Sequence, residues 1–327
     1  MERTTEKMGS VTIEIVGRHP DPGDRKTEEV LGTAGSADPG DNRNTPESWA
    51  GEDTRLLELI QGCAPDEMEN FPAREPGYRS LYQFSPLRQN LVQWLPIQKD
   101  HRVLELFASG GALTECVAGK AKEVTALDPS LAACRLNAFR NRDRENVRVI
   151  AGELPDVMPL LEGPFDVILI GDSLWQADGY LGQIFALLAE DGFAAAATQN
   201  RLGLKYWAGC NDEYTGSFFS GLEGYPEDNR ERAYSRGEIL RMLKEAGQEE
   251  PVFYYPWPDH LFPRSIYSDR YLPEPGELRE FATDYRKTRI ALFNEPLVTD
   301  SLLREGLYPE FCNSFLVIAG RFGGRSS

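Results

Sequence analysis

The chain is poor in cysteine and poorer in histidine. Five cysteines (Cys63, Cys116, Cys134, Cys210 and Cys312) and three histidines are spread over 327 residues. No two cysteines form a CxxC pair, and an odd, scattered set argues against a disulfide scaffold and against a Cys/His metal centre. The same usage points to a reducing compartment, the cytoplasm. Long apolar runs are missing, so no segment is expected to span a bilayer. The start, MERTTEKMGSVTIEIVGRHP, lacks the apolar core and cleavage pattern of a signal peptide. Positive charge is in deficit: 35 Lys and Arg face 52 Asp and Glu, a net charge of −17. Such a surface repels a phosphate backbone and argues against a broad nucleic-acid footprint, though a local basic cleft stays possible. What the chain does have is 41% hydrophobic residues, enough for a sizeable core.

Residues 1–70 are rich in Asp, Glu, Gly, Pro, Ser and Thr, and Gly32–Glu52 has almost no large apolar residue. Too little surface can be buried there to offset chain entropy, which predicts a mostly disordered extension. Two local exceptions are a short alternating strand at Val11–Val16 and a helical turn at Leu56–Ile60. No internal repeat is visible. Order is expected to begin near Tyr78, and residues 71–327 are assigned to one domain. Ser85-Pro86 before LRQNLVQWL reads as a helix start. Short apolar runs then alternate with helical patterns. Strands are expected at Val103–Phe107, Glu123–Leu127, Val147–Ala151, Phe165–Ile170 and Phe193–Thr198. Helices are expected at Ala112–Gly119, Ser130–Arg142, Leu154–Leu161 and Tyr180–Ala189. This pattern implies a parallel sheet covered on both faces. After Asn200 the chain turns aromatic and Gly-rich. A helix capped by Ser235 and Glu238 follows, then a strand at Pro251–Tyr255 and a last strand at Ser314–Phe322. The stretches 200–232 and 257–312 read as insertions, of the length that often forms lids or substrate sites.

Candidate chemistry sits at successive strand ends. VLELFASGGALTECVA runs strand, small-residue turn, helix, a shape that lets a ligand approach the backbone. Asp128 ends the next strand; it can accept hydrogen bonds from ribose hydroxyls or simply cap the helix after Pro129. Glu153 follows the third strand, within reach of an adenine amino group. Asp172 follows the fourth, as a site carboxylate or a turn residue.

These residues carry a family resemblance. From about Tyr78 to Phe322 the chain resembles class I S-adenosylmethionine-dependent methyltransferases, and within them a bacterial branch associated with glycan-assembly enzymes. The segments that carry it are SPLRQNLVQWLP, VLELFASGGALTECVA with KEVTALDPS, NRLGLKYWAGCNDEYTG, FYYPWPDHLFP with IYSDRYLP, and NSFLVIAGRF. The resemblance implies an α/β, Rossmann-like seven-stranded sheet with an antiparallel last strand, and S-adenosylmethionine as cofactor. It places Glu105, Phe107, Ala108, Ser109 and Gly111 around the methionine part, Asp128 with Pro129 at the ribose, Glu153 by the adenine, and Asp172 near the methionine amino group or the acceptor. The chain departs from the pattern in the turn, where Phe107 takes the place of the first glycine of G-x-G-x-G, and at two further positions. Ser109 stands where the middle glycine of the turn is usual, and Tyr214 where the branch tends to have histidine.

Methyl transfer to oxygen needs alignment and a base. Asp172, His260 and Tyr214 are the catalytic candidates, with Asp212 and Glu213 as further possibilities. His260 is also readable as a surface-loop histidine. Tyr206, Trp207, Tyr214, Phe218, Phe219, Tyr225, Tyr254, Tyr255 and Trp257 offer aromatic faces to a flat or sugar-like substrate, or pack the insertions. Arg201 and Lys205 can pair with an acidic substrate group or sit as solvated charges. The leading expectation is O-methylation of a small-molecule or glycan-like acceptor. Alternatives are a non-catalytic cofactor- or partner-binding module and, further off, a nucleic-acid methyltransferase, against which stands GDSLW in place of an Asn/Asp-Pro-Pro-aromatic motif. A dinucleotide dehydrogenase is disfavoured, since the turn lacks G-x-G-x-x-G spacing.

Overall fold

The computed structural model describes residues 3–17, 46–63, 67–68, 70–227, 230–285 and 288–322. The chain opens on a hairpin, β1 (Arg3–Met8) and β2 (Val11–Val16). Gly9 makes its turn at φ 62°, and a side chain there would strike the Arg142 carbonyl. Then follow β3 (Arg102–Leu106), β4 (Glu123–Asp128), β5 (Val147–Ala151), β6 (Phe165–Ile170), β7 (Leu188–Gln199), β8 (Val252–Trp257), β9 (Ser265–Ser268) and β10 (Ser314–Gly320). They form one ten-stranded sheet in the order β1-β2-β5-β4-β3-β6-β7-β10-β8-β9. Strands β2, β5, β4, β3, β6 and β7 run parallel, and β10 lies antiparallel between β7 and β8. The seven strands from β5 to β8 form the expected α/β, Rossmann-like sheet with its antiparallel last strand. Three more strands than the expected seven extend it: β1 and β2 at one edge, β9 at the other.

Both faces are buried, as continuous apolar strands require. Alternate residues of one strand point to opposite cores. Leu104, Leu106 and Ile168 pack with Leu181, Ile184, Ile239 and Leu243 from the helices Leu181–Ala186 and Arg236–Glu245. Val103, Val124 and Val167 pack with Leu113, Val117 and Cys134 from Ala112–Ala118 and Leu131–Arg140. The expected capping box at Ser235 and Glu238 is present. The expected helix after Ser85 is a 3-10 segment, Pro86–Leu91, whose first turn donates Leu87 N–H to Ser85 Oγ.

Within residues 1–70 the expected strand at Val11–Val16 is present as β2, and the helix at Leu56–Ile60 is longer than expected. Val11, Ile13, Ile15 and Val16 are buried, with β2 parallel to β5. Pro46–Ile60 is one helix rather than a turn at Leu56–Ile60. Its Leu56, Leu57 and Ile60 pack on Phe71, Phe84 and Leu136. The burial comes from a distant partner, which local composition cannot reveal. Residues 18–45 of that stretch lie outside the described residues.

Candidate cofactor and active site

The Phe107–Gly111 turn leaves β3 by two left-handed non-glycine residues, Phe107 (φ 60°) and Ser109 (φ 50°), before Gly111 (φ 80°) starts the next helix. Each such residue costs of order 1 kcal/mol and persists only when neighbours enforce it. Ala108 N–H donates to the Leu127 carbonyl at 3.0 Å, and Ser109 N–H to Asp128 Oδ2 at 2.8 Å. The Ser109 hydroxyl accepts from Arg79 Nη2 at 2.9 Å and Gln83 Nε2 at 3.1 Å. Ser109 thus exchanges backbone ease for two side-chain anchors that glycine would lack.

Beneath the turn, Glu105 is buried and takes a hydrogen bond from Thr114 Oγ1 at 2.7 Å. Burial pushes its carboxyl up to about 7. Asp128, at the tip of β4, also accepts Ser130 N–H at 2.8 Å. Burial raises this carboxyl to about 6, against the two backbone bonds that favour its charge.

Asp172 follows β6, and His260 lies on the loop after β8. His260 Nε2 is 2.8 Å from Asp172 Oδ1, and the imidazole is fully buried. The contact is close, but the N–H direction misses the carboxylate, so neither ring nitrogen has an aligned hydrogen-bond partner. Tyr82 OH donates to Asp172 Oδ2 at 2.6 Å, and Arg88 Nη1 stands 3.5 Å from the same oxygen. Burial alone would raise the Asp172 carboxyl; Arg88 first, then His260 and the Tyr82 hydrogen bond, hold it well below the usual carboxylate range. Tyr214 OH donates to the Asp172 carbonyl at 3.1 Å, and burial pushes its phenol well above its ordinary value. That makes Tyr214 a holder of the Asp172 main chain, not a base near neutral pH.

A cavity of about 1030 Å³, counted to its open mouth, lies over these strand ends. Of the residues expected at the site, it gathers Phe107, Ser109, Asp128, Pro129, Asp172, Tyr214 and His260 on its wall. Glu105, Ala108, Gly111 and Glu153 are not lining residues. The first three shape the turn from behind. Glu153 is exposed, and the main chain before it, at Gly152, faces Val16 of the N-terminal hairpin. The wall also includes residues the sequence reading missed: Trp49, Asp53, Arg79, Tyr82, Trp175 and Gln199. A signal existed for some of them, since Arg79, Tyr82 and Gln83 recur at i, i+3 and i+4 on one helix face.

Lys205 and Arg201 do not await an acidic ligand. Lys205 is buried and donates to Glu213 Oε1 at 2.5 Å and Gln199 Oε1 at 2.8 Å, while Tyr206 OH donates to the other Glu213 oxygen. Arg201 Nε pairs with Glu238 at 2.7 Å. Asp212 accepts from Tyr214 N–H, Thr215 N–H and Tyr225 OH, which makes it a loop organiser. The NRLGLKYWAG block is a clamp. Asn200 Nδ2 donates to the Glu310 and Cys312 carbonyls at 2.9 and 2.7 Å. Lys205 N–H donates to Asn313 Oδ1 at 3.0 Å, and Asn313 Nδ2 to the Pro258 carbonyl at 3.0 Å. Together with the His260 N–H bond to Ser314 Oγ at 2.8 Å, this fixes the histidine loop to the closing strand.

No protein-family model matches the chain, and no curated protein matches it. Among solved structures, a putative methyltransferase from Bacillus halodurans is 16% identical with a TM-score of 0.42, over 72% of this chain and 98% of that one. A chain of the complex between the Haloferax volcanii Trm112 methyltransferase activator and a putative methyltransferase is 15% identical with a TM-score of 0.44, over 80% of this chain and 99% of that one. Phosphoethanolamine N-methyltransferase 1 of Haemonchus contortus, solved with phosphoethanolamine and S-adenosylhomocysteine, is 12% identical with a TM-score of 0.45, over 86% of this chain and 51% of that one. What these structures share with the chain is the fold, which its own strand order defines.

Proposed function

We propose that the chain binds S-adenosylmethionine in this cavity and transfers its methyl group to an oxygen of a small-molecule or glycan-like acceptor. One observation carries the reading. A strand-tip carboxylate, Asp128, and a buried acid–imidazole pair, Asp172 and His260, share one cavity at the carboxyl ends of parallel strands. Open α/β sheets bind ligands there.

The wall suits that cofactor, whose sulfonium and ammonium groups are positive. Asp53, Asp128, Asp172, Glu213 and Glu231 line the cavity, and among the described residues Arg79 is its one lining arginine or lysine. Tyr82, Phe107 and Trp175 add aromatic faces that favour a cation. Asp128 keeps lone pairs for the ribose hydroxyls beyond those given to Ser109 and Ser130. Phe107, Ser109 and Pro129 form the floor, held in shape by Glu105, Ala108 and Gly111, and Glu153 is kept as a rim residue at the adenine end. Bound there, S-adenosylmethionine supplies an electrophilic methyl group on sulfur. His260 takes the proton from the acceptor hydroxyl at a ring nitrogen. Asp172, ionised, steadies the imidazolium. Tyr82 and Arg88 position Asp172, and Tyr214 holds its main chain. A groove lined by Thr215, Phe218, Glu223 and Arg230 meets the cavity at Tyr214 and Glu231 and serves as the acceptor's entrance. The acidic wall weighs against a nucleic-acid acceptor. The scattered, odd-numbered cysteines of the sequence are the ground for proposing a cytoplasmic place, and no helix among the described residues is long and apolar enough to cross a membrane.

A second reading, a non-catalytic cofactor- or partner-binding module, is favoured by one feature: an ion pair from Asp53 to Arg79 lies across the Ser109 turn. Calorimetric titration with S-adenosylmethionine, S-adenosylhomocysteine and NAD tests the first reading. It expects binding of the two sulfur compounds and not of NAD; failure of both to bind refutes it. Labelled-methyl transfer to a panel of hydroxyl-bearing small molecules and oligosaccharides then separates enzyme from module.

A further inference from the structure

The cavity wall contains a carboxylate receptor that is already filled. Arg79 is 5% exposed, and its Nε and Nη2 donate to the two oxygens of Asp53 at 2.8 and 2.5 Å. This is the fork geometry in which a guanidinium binds a carboxylate most specifically. The same guanidinium donates to Ser109 Oγ, so it stands directly on the left-handed turn. Its flat face lies near the rings of Trp49 and Tyr82, 4.9 and 5.2 Å from their centroids. All five residues line the cavity. Asp53 belongs neither to the sheet nor to its crossovers. It is carried by the N-terminal helix Pro46–Ile60, which is seated through Leu56, Leu57 and Ile60.

We propose that Arg79 receives the carboxylate of an amino-acid-bearing ligand in this cavity, and that Asp53 holds that place until the ligand displaces it. The inference rests on the cofactor reading above and names the group that reads the methionine end. A buried guanidinium cannot stand unpaired without a large penalty, so a chain that binds a carboxylate ligand needs a stand-in while empty. Asp53 is such a stand-in. Gln83 Nε2, 3.2 Å from Asp53 Oδ1, adds a second donor aimed at the same place. Because exchange swaps one carboxylate for another, the guanidinium stays satisfied throughout. The helix that carries Asp53 is then tied to occupancy, and its docking weakens as the cavity fills.

The test compares S-adenosylmethionine with decarboxylated S-adenosylmethionine, which keeps the adenosine, sulfonium and amine and lacks only the carboxylate. Both are titrated calorimetrically into the full chain. Wild type is expected to prefer the carboxylate form by about tenfold or more, as for hydrogen bonds to a charged group. Arg79→Gln is expected to bring the ratio to about one, and Arg79→Lys, which keeps the charge but not the fork, to an intermediate value. Asp53→Asn removes the competitor and is expected to tighten S-adenosylmethionine about tenfold while leaving the decarboxylated form unchanged. A wild-type ratio near one, a ratio unchanged by Arg79→Gln, or weaker binding of both ligands by Asp53→Asn overturns the proposal. Should Arg79→Gln not fold, Arg79→Lys and the wild-type ratio decide. If wild type binds neither ligand, the cofactor reading falls and this one with it. If it binds both equally, only this one falls.

Discussion

His260 Nε2 lies 2.8 Å from Asp172 Oδ1, with the imidazole fully buried and the carboxylate pinned by Tyr82 and Arg88. Removing the imidazole should therefore cost rate and spare binding. His260→Gln is expected to lower methyl transfer by roughly 10²–10⁴-fold, the usual worth of a general base. Affinity for S-adenosylhomocysteine should stay within about threefold, since Asp128 and the turn remain. A large loss of affinity with transfer intact would reverse the assignment. Asp172→Asn should do more, because it leaves Arg88 buried without its carboxylate. A loss of about 3 kcal/mol in urea unfolding is expected for breaking such a pair.

Cofactor affinity should depend on pH through Asp128. Its carboxyl is raised to about 6 by burial, so it is largely protonated at pH 5 and ionised at pH 7.5. The ionised form is the better acceptor for ribose hydroxyls. Affinity for S-adenosylhomocysteine should rise from pH 5 to about pH 7 and then level off. Asp128→Asn should flatten that profile and sit below the wild-type plateau. A sloping Asp128→Asn curve parallel to wild type would assign the titration to another group.

Stability should fall over a neighbouring range of pH because of Glu105. Its folded value, about 7, lies above its ordinary value of 4.5. Between the two, the folded chain binds more protons than the unfolded one, so stability falls as pH rises through that window. A shift of this size corresponds to about 3 kcal/mol lost between pH 4.5 and pH 8. Glu105→Gln keeps an acceptor for Thr114 and cannot ionise. Denaturant unfolding at pH 5 and pH 8 should show the variant gaining on wild type at the higher pH; equal gains at both values would refute the account.

Ser109 separates two opposing effects. Ser109→Ala removes the acceptor for Arg79 and Gln83 and keeps the left-handed strain. Ser109→Gly removes the same acceptor and relieves roughly 1 kcal/mol of strain. Both should be less stable than wild type, because buried donors lose a partner at about 1–3 kcal/mol. Alanine should be the worse by about 1 kcal/mol. A glycine variant more stable than wild type would show that the serine anchors count for little.

The parts of this fold written in local pattern were legible in the sequence. Strands β3 to β7 announce themselves as short apolar runs, and Ser235 with Glu238 as a capping box, because each depends on near neighbours. Asp128 and Asp172 were legible at successive strand ends, but the seating of His260 directly against Asp172 was not. The N-terminal helix was hidden because Leu56, Leu57 and Ile60 earn their burial from Phe71, Phe84 and Leu136. Lys205 and Arg201 show the same limit. Their charges are visible in the sequence, whereas the carboxylates that occupy them, Glu213 and Glu238, become partners only in three dimensions.

Strand β2 pairs in parallel with β5 on the sheet edge, and the helix Pro46–Ile60 packs on Leu136. The hairpin therefore waits for a docking edge that is synthesised much later. Val11, Ile13 and Ile15 must stay exposed until Val147–Ala151 has emerged and joined β4, a long-range closure that slows folding. The helix Pro46–Ile60, whose Asp53 lines the cavity, likewise waits for Leu136, so both N-terminal elements are seated only after segments that follow them in sequence.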